Sequence, residues 1–482
     1  MKEKLGYIPK DKRKKILMLS DDIRMHSGVA TMSREVILNT AHHYNWFQLG
    51  AALKHPEVGK TFDLSADINE RVGIEDASVI VQPCNGYGDA ITVRSLIYSQ
   101  KPDAIFIFTD PRYWIWLFEI EREIRTKIPI FWLNIWDEYP APMYNKDYYN
   151  SVDTLMGISK QTVNINRLVL EEEAKNKVID YVPHGIDDQA FFPITKEHPS
   201  YDNYTKFRNE LFGEKDIEFV VFFNSRNIAR KHPGDTILAY KWFCDKIGPE
   251  KAKKCALVMK SEISSPHGTD LRAVRDALCD TSYVNVFFNQ EKLTPEQMNM
   301  LYNVADVTVL MSSNEGWGLA LTESMMTGTM IIPNSSGGMQ DQCRFEDENG
   351  NWIEFDDKFP SNNRKRYTKC GEWALPVWPS NLSLQGSPLT PYIYDDRCKP
   401  EDVTDRIFEA YELGAEERSK RGLKGREWAC SKEANMTAAN MGKRLIDVMD
   451  RGFDNFTPRS EFDIIKADSF VKPKVNHELL DY

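Results

Sequence analysis

Short runs that are apolar on both faces alternate with longer amphipathic stretches along the first third of the chain. KILMLS, SVIVQP, AIFIFT, IFWLNI and LMGIS all occur before residue 160, with helical patterns such as residues 89–100 between them. Strands lacking a polar face belong in a parallel sheet covered by helices on both sides. The pattern restarts with FVVFFNS (219–225), ALVMK (256–260), VNVFF (284–288), DVTVLM (306–311) and TMIIP (329–333). Two doubly wound α/β domains follow, each Rossmann-like.

Between them, ITKEHPSYDNYTKFRNELFGEKD begins polar and without apolar period, a linker composition that puts the boundary at 195–215. The expected domains are 14–195, then 215–430 with an insertion at about 356–395, then a helix and tail over 431–482 packing back on the N-terminal domain. That insertion carries Arg364, Lys365, Arg366 and Lys369 beside Tyr367 and Trp373. Basic residues among aromatics suit a nucleic-acid contact, and a surface loop is the plainer reading.

Composition narrows the setting. The 482 residues are 41% hydrophobic and 28% charged, an ordinary globular balance, and a net charge of −11 argues against nonspecific nucleic-acid binding as the main activity. There is no run of the roughly 18 apolar residues that a membrane span needs. The basic N-terminus leads into only a few apolar residues, too few for a signal peptide. Eight scattered cysteines without a C-x-x-C spacing suggest a reducing, cytoplasmic setting.

Ligands of open α/β sheets sit beyond the carboxyl ends of the strands. After the first strand, SDDIRMHSGVATM places Gly28 at a helix start, where backbone amides suit an anion or a sugar hydroxyl, or form a simple turn. After the first strand of the second domain, NSRNIARKHPGD offers Arg226 and Lys231, a guanidinium fork and a point charge that suit a diphosphate, or else a solvated basic turn.

The segment MSSNEGWGLALTESMMTG sets Glu315 before a helix and Glu323 inside it, roughly 10–12 Å apart at about 1.5 Å per residue. Carboxylates at that separation could accept hydroxyl hydrogen bonds from both ends of one ligand, with Gly316 and Gly318 giving backbone access between them. In an empty site both acids should then face the cleft and water. The plainer reading has Glu315 capping the helix and Glu323 at the surface.

Together these pieces resemble glycosyltransferase family 4, retaining enzymes of the GT-B fold. EGWGLALTE is similar to the family's E-x7-E motif, Arg226 and Lys231 have its spacing, YVPHGID (181–187) is similar to its interdomain segment, and HSGVAT stands where it has a Gly-Gly loop. The resemblance implies transfer of a sugar from a nucleoside diphosphate sugar, UDP- or GDP-linked, to a hydroxyl. The nucleotide sugar is a co-substrate, and neither cofactor nor metal is implied; no D-x-D occurs in the chain.

Carried onto this sequence, it has Arg226 and Lys231 hold the diphosphate, Glu323 the ribose, and Glu315 with the amides of Gly316, Trp317, Gly318 and Leu319 the donor sugar. Gly28 would line the opposite wall. Ser27 replaces the first loop glycine, His184 stands where Asn is commoner, and Asp110 takes the place of a histidine, as a donor or acceptor contact or as the cap of the helix after Pro111. The acceptor stays open between a saccharide, a small molecule, a lipid-linked sugar and DNA with a hydroxylated base. A noncatalytic nucleotide-sugar-binding module and a phosphorylase are the competing classes.

Overall fold

The computed structural model describes residues 6–462. Its N-terminal domain is built on β1 (Lys15–Asp21), β2 (Asn45–Ala52), β3 (Phe62–Asp63), β4 (Val79–Asn85), β5 (Ala104–Phe108), β6 (Ile130–Asn134), β7 (Thr154–Gly157) and β8 (Val178–Tyr181). They form one sheet in the order β3-β4-β2-β1-β5-β6-β7-β8, parallel except for β3 against β4. The fully apolar runs are its centre: β5 and β6 are buried along their whole length.

The C-terminal domain repeats the plan with β9 (Phe219–Asn224), β10 (Cys255–Lys260), β11 (Asn285–Asn289), β12 (Val307–Leu310) and β13 (Met330–Pro333), in the order β11-β10-β9-β12-β13. In each domain the order reverses beside the first strand, β1 or β9, so the loops after those strands open onto a crevice. Both crevices face the same interdomain cleft.

Three regions refine the expected layout. The polar stretch after residue 195 contains the helix Tyr201–Phe212, whose Phe212 joins Val220, Phe222 and Leu301 in one apolar cluster. This half of the supposed linker is therefore part of the C-terminal domain.

The 356–395 segment is not a loop laid on the surface. Phe359, Trp373, Leu375 and Val377 are buried, and Ala374 and Val377 bridge in parallel to Ile331 of β13 and to Asn334 just after it. Its β14 (Asn381–Ser387) and β15 (Thr390–Arg397) form an antiparallel hairpin that reaches the other domain, where Tyr394 N donates to Tyr139 O at 2.8 Å. Arg364, Lys365 and Arg366 are exposed on a turn, and none of them lines the cleft.

Finally, the helix Ala438–Asn455 returns to the N-terminal domain. Its Asp450 accepts from Tyr44 Oη at 2.7 Å and pairs with His43 Nε2 at 3.0 Å. The last twenty residues of the 431–482 unit lie outside the described residues. No helix among the described residues is long and apolar enough to cross a membrane.

Candidate functional site

The cleft between the domains encloses about 1050 Å³. Its C-terminal wall is made by the turns after β9 and β12 with the helix Leu319–Met326. Its N-terminal wall is made by the turn after β1, Phe108, the loop after β6, and His184.

Lys231 ends a short 3-10 turn, Ala229–Lys231, just ahead of the helix Pro233–Ile247. The side chain is almost buried, and its ammonium is in direct contact with Glu315 Oε1. Ser312 Oγ donates to the same oxygen at 2.9 Å, and Arg230 lies 3.5 Å from the other one. Burial, and after it the Arg230 guanidinium, push the Lys231 ammonium down from its usual range, while Asp137 and the Glu315 carboxylate in direct contact favour its charged form.

The apolar setting of Glu315 is thus made tolerable by a fixed countercharge. Glu315 lines the cleft as expected but is almost buried, and its carboxylate meets Lys231 and Arg230 rather than water. Nor does it cap the helix, whose N-cap is Gly318 with no side-chain cap bond.

Arg226 lies at the rim instead. Its side chain is 73% exposed and only loosely paired with Glu262, at 3.7 Å. The sequence therefore brings together three cations, of which one is buried and engaged and one is extended into solvent near the cleft mouth. Arg230, between the two residues singled out by spacing, went unnoticed although it lies in the same turn.

Glu323 is held differently. Tyr302 Oη donates to Glu323 Oε2, and Asn224 Nδ2 at the end of β9 donates to the same phenol at 2.7 Å. Burial raises the Glu323 carboxyl above its usual range, and the Tyr302 bond works against that shift. Tyr302 and Asn224 carry no motif signal; only the fold places them beside Glu323.

The glycines between the two acids have separate physical reasons. Gly318 sits at φ +90°, a left-handed conformation that turns the chain into the helix. A Cβ on Gly316 would lie 2.7 Å from Ile135 O of the other domain, so the absence of a side chain lets the two walls meet. Trp317, which also borders the cleft, is buried and anchored by its indole N–H on Thr322 at 3.0 Å. Leu319 opens the helix and reaches across to the position of Gly28, where a Cβ would meet its Cδ1 at 3.5 Å.

Gly28 begins the helix Gly28–Thr40 as expected, but its N-terminus is already served. Ser27 Oγ accepts from Ala30 N at 2.9 Å and donates to Asp21, which also accepts from Tyr87 Oη at 2.6 Å. A carboxylate beside this helix start disfavours a phosphate there and suits a hydroxyl.

His184 lines the cleft between Phe108 and Trp317, ring centroids 5.7 and 6.5 Å away. Burial pushes its pKa down to about 3, and Nδ1 has no hydrogen-bond partner among the described residues. It is a neutral imidazole with an unused polar atom. Asp110 is not at the cleft: it caps the turn Pro111–Trp114, accepting from Arg112 N at 2.9 Å and pairing with the Arg112 guanidinium at 2.7 Å. Asp137, on the loop after β6, does line it. It lies within the aromatic segment NIWDEYPAPMYN, where no motif marks it.

Residues 282–359 match the family model described as glycosyl transferases group 1. That span holds the strand, turn and helix bearing both glutamates. Whole-chain similarity is structural. A glycosyltransferase from Rickettsia africae ESF-5 matches with a TM-score of 0.60 at 14% identity, covering 92% of this chain and 100% of that one.

The fold is GT-B.

HepE of Anabaena, solved in complex with UDP and glucose, matches this GT-B chain with a TM-score of 0.61 at 11% identity, covering 91% of this chain and 100% of that one. Sucrose-phosphate synthase from Thermosynechococcus elongatus matches at 0.60 and 14%, covering 92% and 100%. No curated protein matches the sequence. The resemblance to GT-B glycosyltransferases first seen in the E-x7-E segment thus extends over both domains.

Proposed function

We propose that this GT-B protein is a retaining, metal-independent glycosyltransferase that moves a sugar from a nucleoside diphosphate sugar to a hydroxyl acceptor. The observation that carries this reading is the placement of Arg226, Arg230 and Lys231 on one turn, opposite Glu315 on the turn after β12 and Glu323 on the helix that follows it, in a cleft shared by two Rossmann-like domains.

A departing diphosphate develops negative charge, and fixed cations lower the barrier to its departure without a metal. Lys231 and Arg230 are held in position by Glu315, so little reorganisation is needed when the phosphates arrive. Glu323, with one oxygen engaged by Tyr302, would take a ribose hydroxyl at the far end. The uncharged surface of His184 and Phe108, with the Gly28 turn, would cover the sugar. A UDP-linked donor is favoured by two similar structures, HepE with UDP-glucose and the E. coli trehalose-6-phosphate protein with UDP-2-fluoro glucose.

A thermal-shift screen of nucleoside diphosphates and their sugars tests the donor half, because a ligand that binds only the folded state raises its melting temperature. UDP and UDP-sugars should stabilise the wild type and lose that effect in Lys231→Met. Mass analysis of incubations with saccharides, small hydroxyl compounds and DNA then identifies the acceptor. Failure of every nucleoside diphosphate to stabilise the protein would overturn the assignment.

A further inference from the structure

The loop Ile135–Tyr139 is held rigidly while one of its carboxylates is left open. Trp136, Glu138 and Tyr139 are buried; Ile135 and Asp137 line the cleft. Trp136 N donates to Asn134 Oδ1 at 3.0 Å, Thr162 Oγ1 donates to Trp136 O at 2.9 Å, and Gln161 Nε2 donates to Asp137 O at 3.1 Å. From the other domain, Gly337 packs so closely that a Cβ there would lie 2.9 Å from the same carbonyl. The Asp137 carboxylate itself accepts no hydrogen bond from any other described residue.

Its charged surroundings come from four elements. The turn after β9 presents Arg230 and Lys231, both attractive. The turn after β12 carries Glu315, already joined to Lys231. The loop after β5 carries Asp110, repulsive but paired with Arg112. On its own loop, Glu138 is turned into a buried network with Ser336, 2.7 Å away, and Tyr144 lies further on as a neutral phenol. The helix after β7 contributes only neutral Gln161.

We propose that Asp137 is the N-terminal domain's contact to the donor diphosphate and that it takes up one proton as the donor binds. The inference rests on the donor reading above. Arg230 and Lys231 are the cations that favour an ionised Asp137, and they are also the ones a diphosphate would claim. Its two negative charges would withdraw that support and add like charge beside the carboxylate. Protonated, Asp137 becomes a donor able to bond a phosphate oxygen, so the same event that neutralises it ties the N-terminal wall to the ligand. Burial already raises this carboxyl above its usual range in the empty cleft.

Calorimetry with UDP-glucose, whose diphosphate does not itself titrate near neutrality, in buffers of differing ionisation enthalpy between about pH 5.5 and 8 reads the proton directly. The wild type should take up as much as one proton per ligand and lose up to about tenfold in affinity per pH unit as pH rises. Asp137→Asn should abolish the uptake and bind at least as tightly as wild type at pH 8; Asp137→Ser should also lose the uptake. Binding without proton exchange would overturn the proposal alone. So would uptake that persists in both variants, which would move the proton to Lys231. Absence of binding by both UDP-glucose and UDP would overturn the donor reading together with it.

Discussion

On the C-terminal wall of the cleft every charge but that of Arg226 is engaged before a ligand arrives: Lys231 and Arg230 hold Glu315, and Tyr302 holds Glu323. On the N-terminal wall the Gly28 turn is hydrogen-bonded through Ser27 and Asp21, but two polar groups are left open, His184 Nδ1 and the Asp137 carboxylate. One wall is preorganised for an ion of fixed chemistry, and its charges keep each other in place. The other holds its backbone rigidly but leaves an imidazole nitrogen and a carboxylate without partners among the described residues. A binding energy concentrated on one wall and a specificity concentrated on the other follow from that difference.

The strongest way to break the comparison is at Lys231. Lys231→Met should lower transfer by about 10²–10³-fold, the range for losing one preorganised donor at a developing anion. It should also cost stability of about 3 kcal/mol, because the almost buried Glu315 would lose its direct ion and keep only Arg230 at 3.5 Å. Glu315→Gln in the same chain should restore most of the urea midpoint and none of the activity. Recovery of activity in that double variant would show that the pair serves only the fold.

Tyr302→Phe sharpens the same wall with a smaller effect. It removes the O–H that positions Glu323 and should weaken binding of the nucleoside diphosphate by about tenfold, as loss of a hydrogen bond to a charged group does. Equal loss for inorganic pyrophosphate would place Glu323 away from the ribose.

The N-terminal wall makes a pH prediction. The pKa of His184 is depressed to about 3 in the folded chain, against about 6.5 unfolded. Between those values the unfolded state binds the proton that the native imidazole does not, so stability falls as pH drops below about 6.5, by up to about 1.4 kcal/mol per unit. The stability difference between wild type and His184→Asn, followed by urea unfolding from pH 7 to 5, should carry this slope. A constant difference would mean that the imidazole is solvated.

Much of the fold was legible because buried parallel strands have no polar face to disguise their period, and β5, β6 and β9 appear where the apolar runs lie. The site was legible where chemistry is local. Glu315 and Lys231 occupy turns that follow strands, Glu323 lies in the helix after the first of those turns, and Gly28 starts the helix after β1. It was less so where residues meet only through the fold: Tyr302 reaches Glu323 from the preceding helix, and Asp137 comes from the other domain. Asp110 shows the converse limit, since an acid before proline is as good a cap as a ligand, and here it caps. The insertion misled because its one buried apolar run, over 373–377, which bridges to Ile331 and Asn334, is short and flanked by polar turns.

The central claim is that the Lys231 wall is a diphosphate site. Calorimetric titration of UDP into wild type and Lys231→Met, at matched urea stability, tests it most directly. Saturable one-to-one binding to the wild type, weakened at least about tenfold in the variant, is the expected result. Equal affinity in both proteins, or no binding to the wild type, would contradict it.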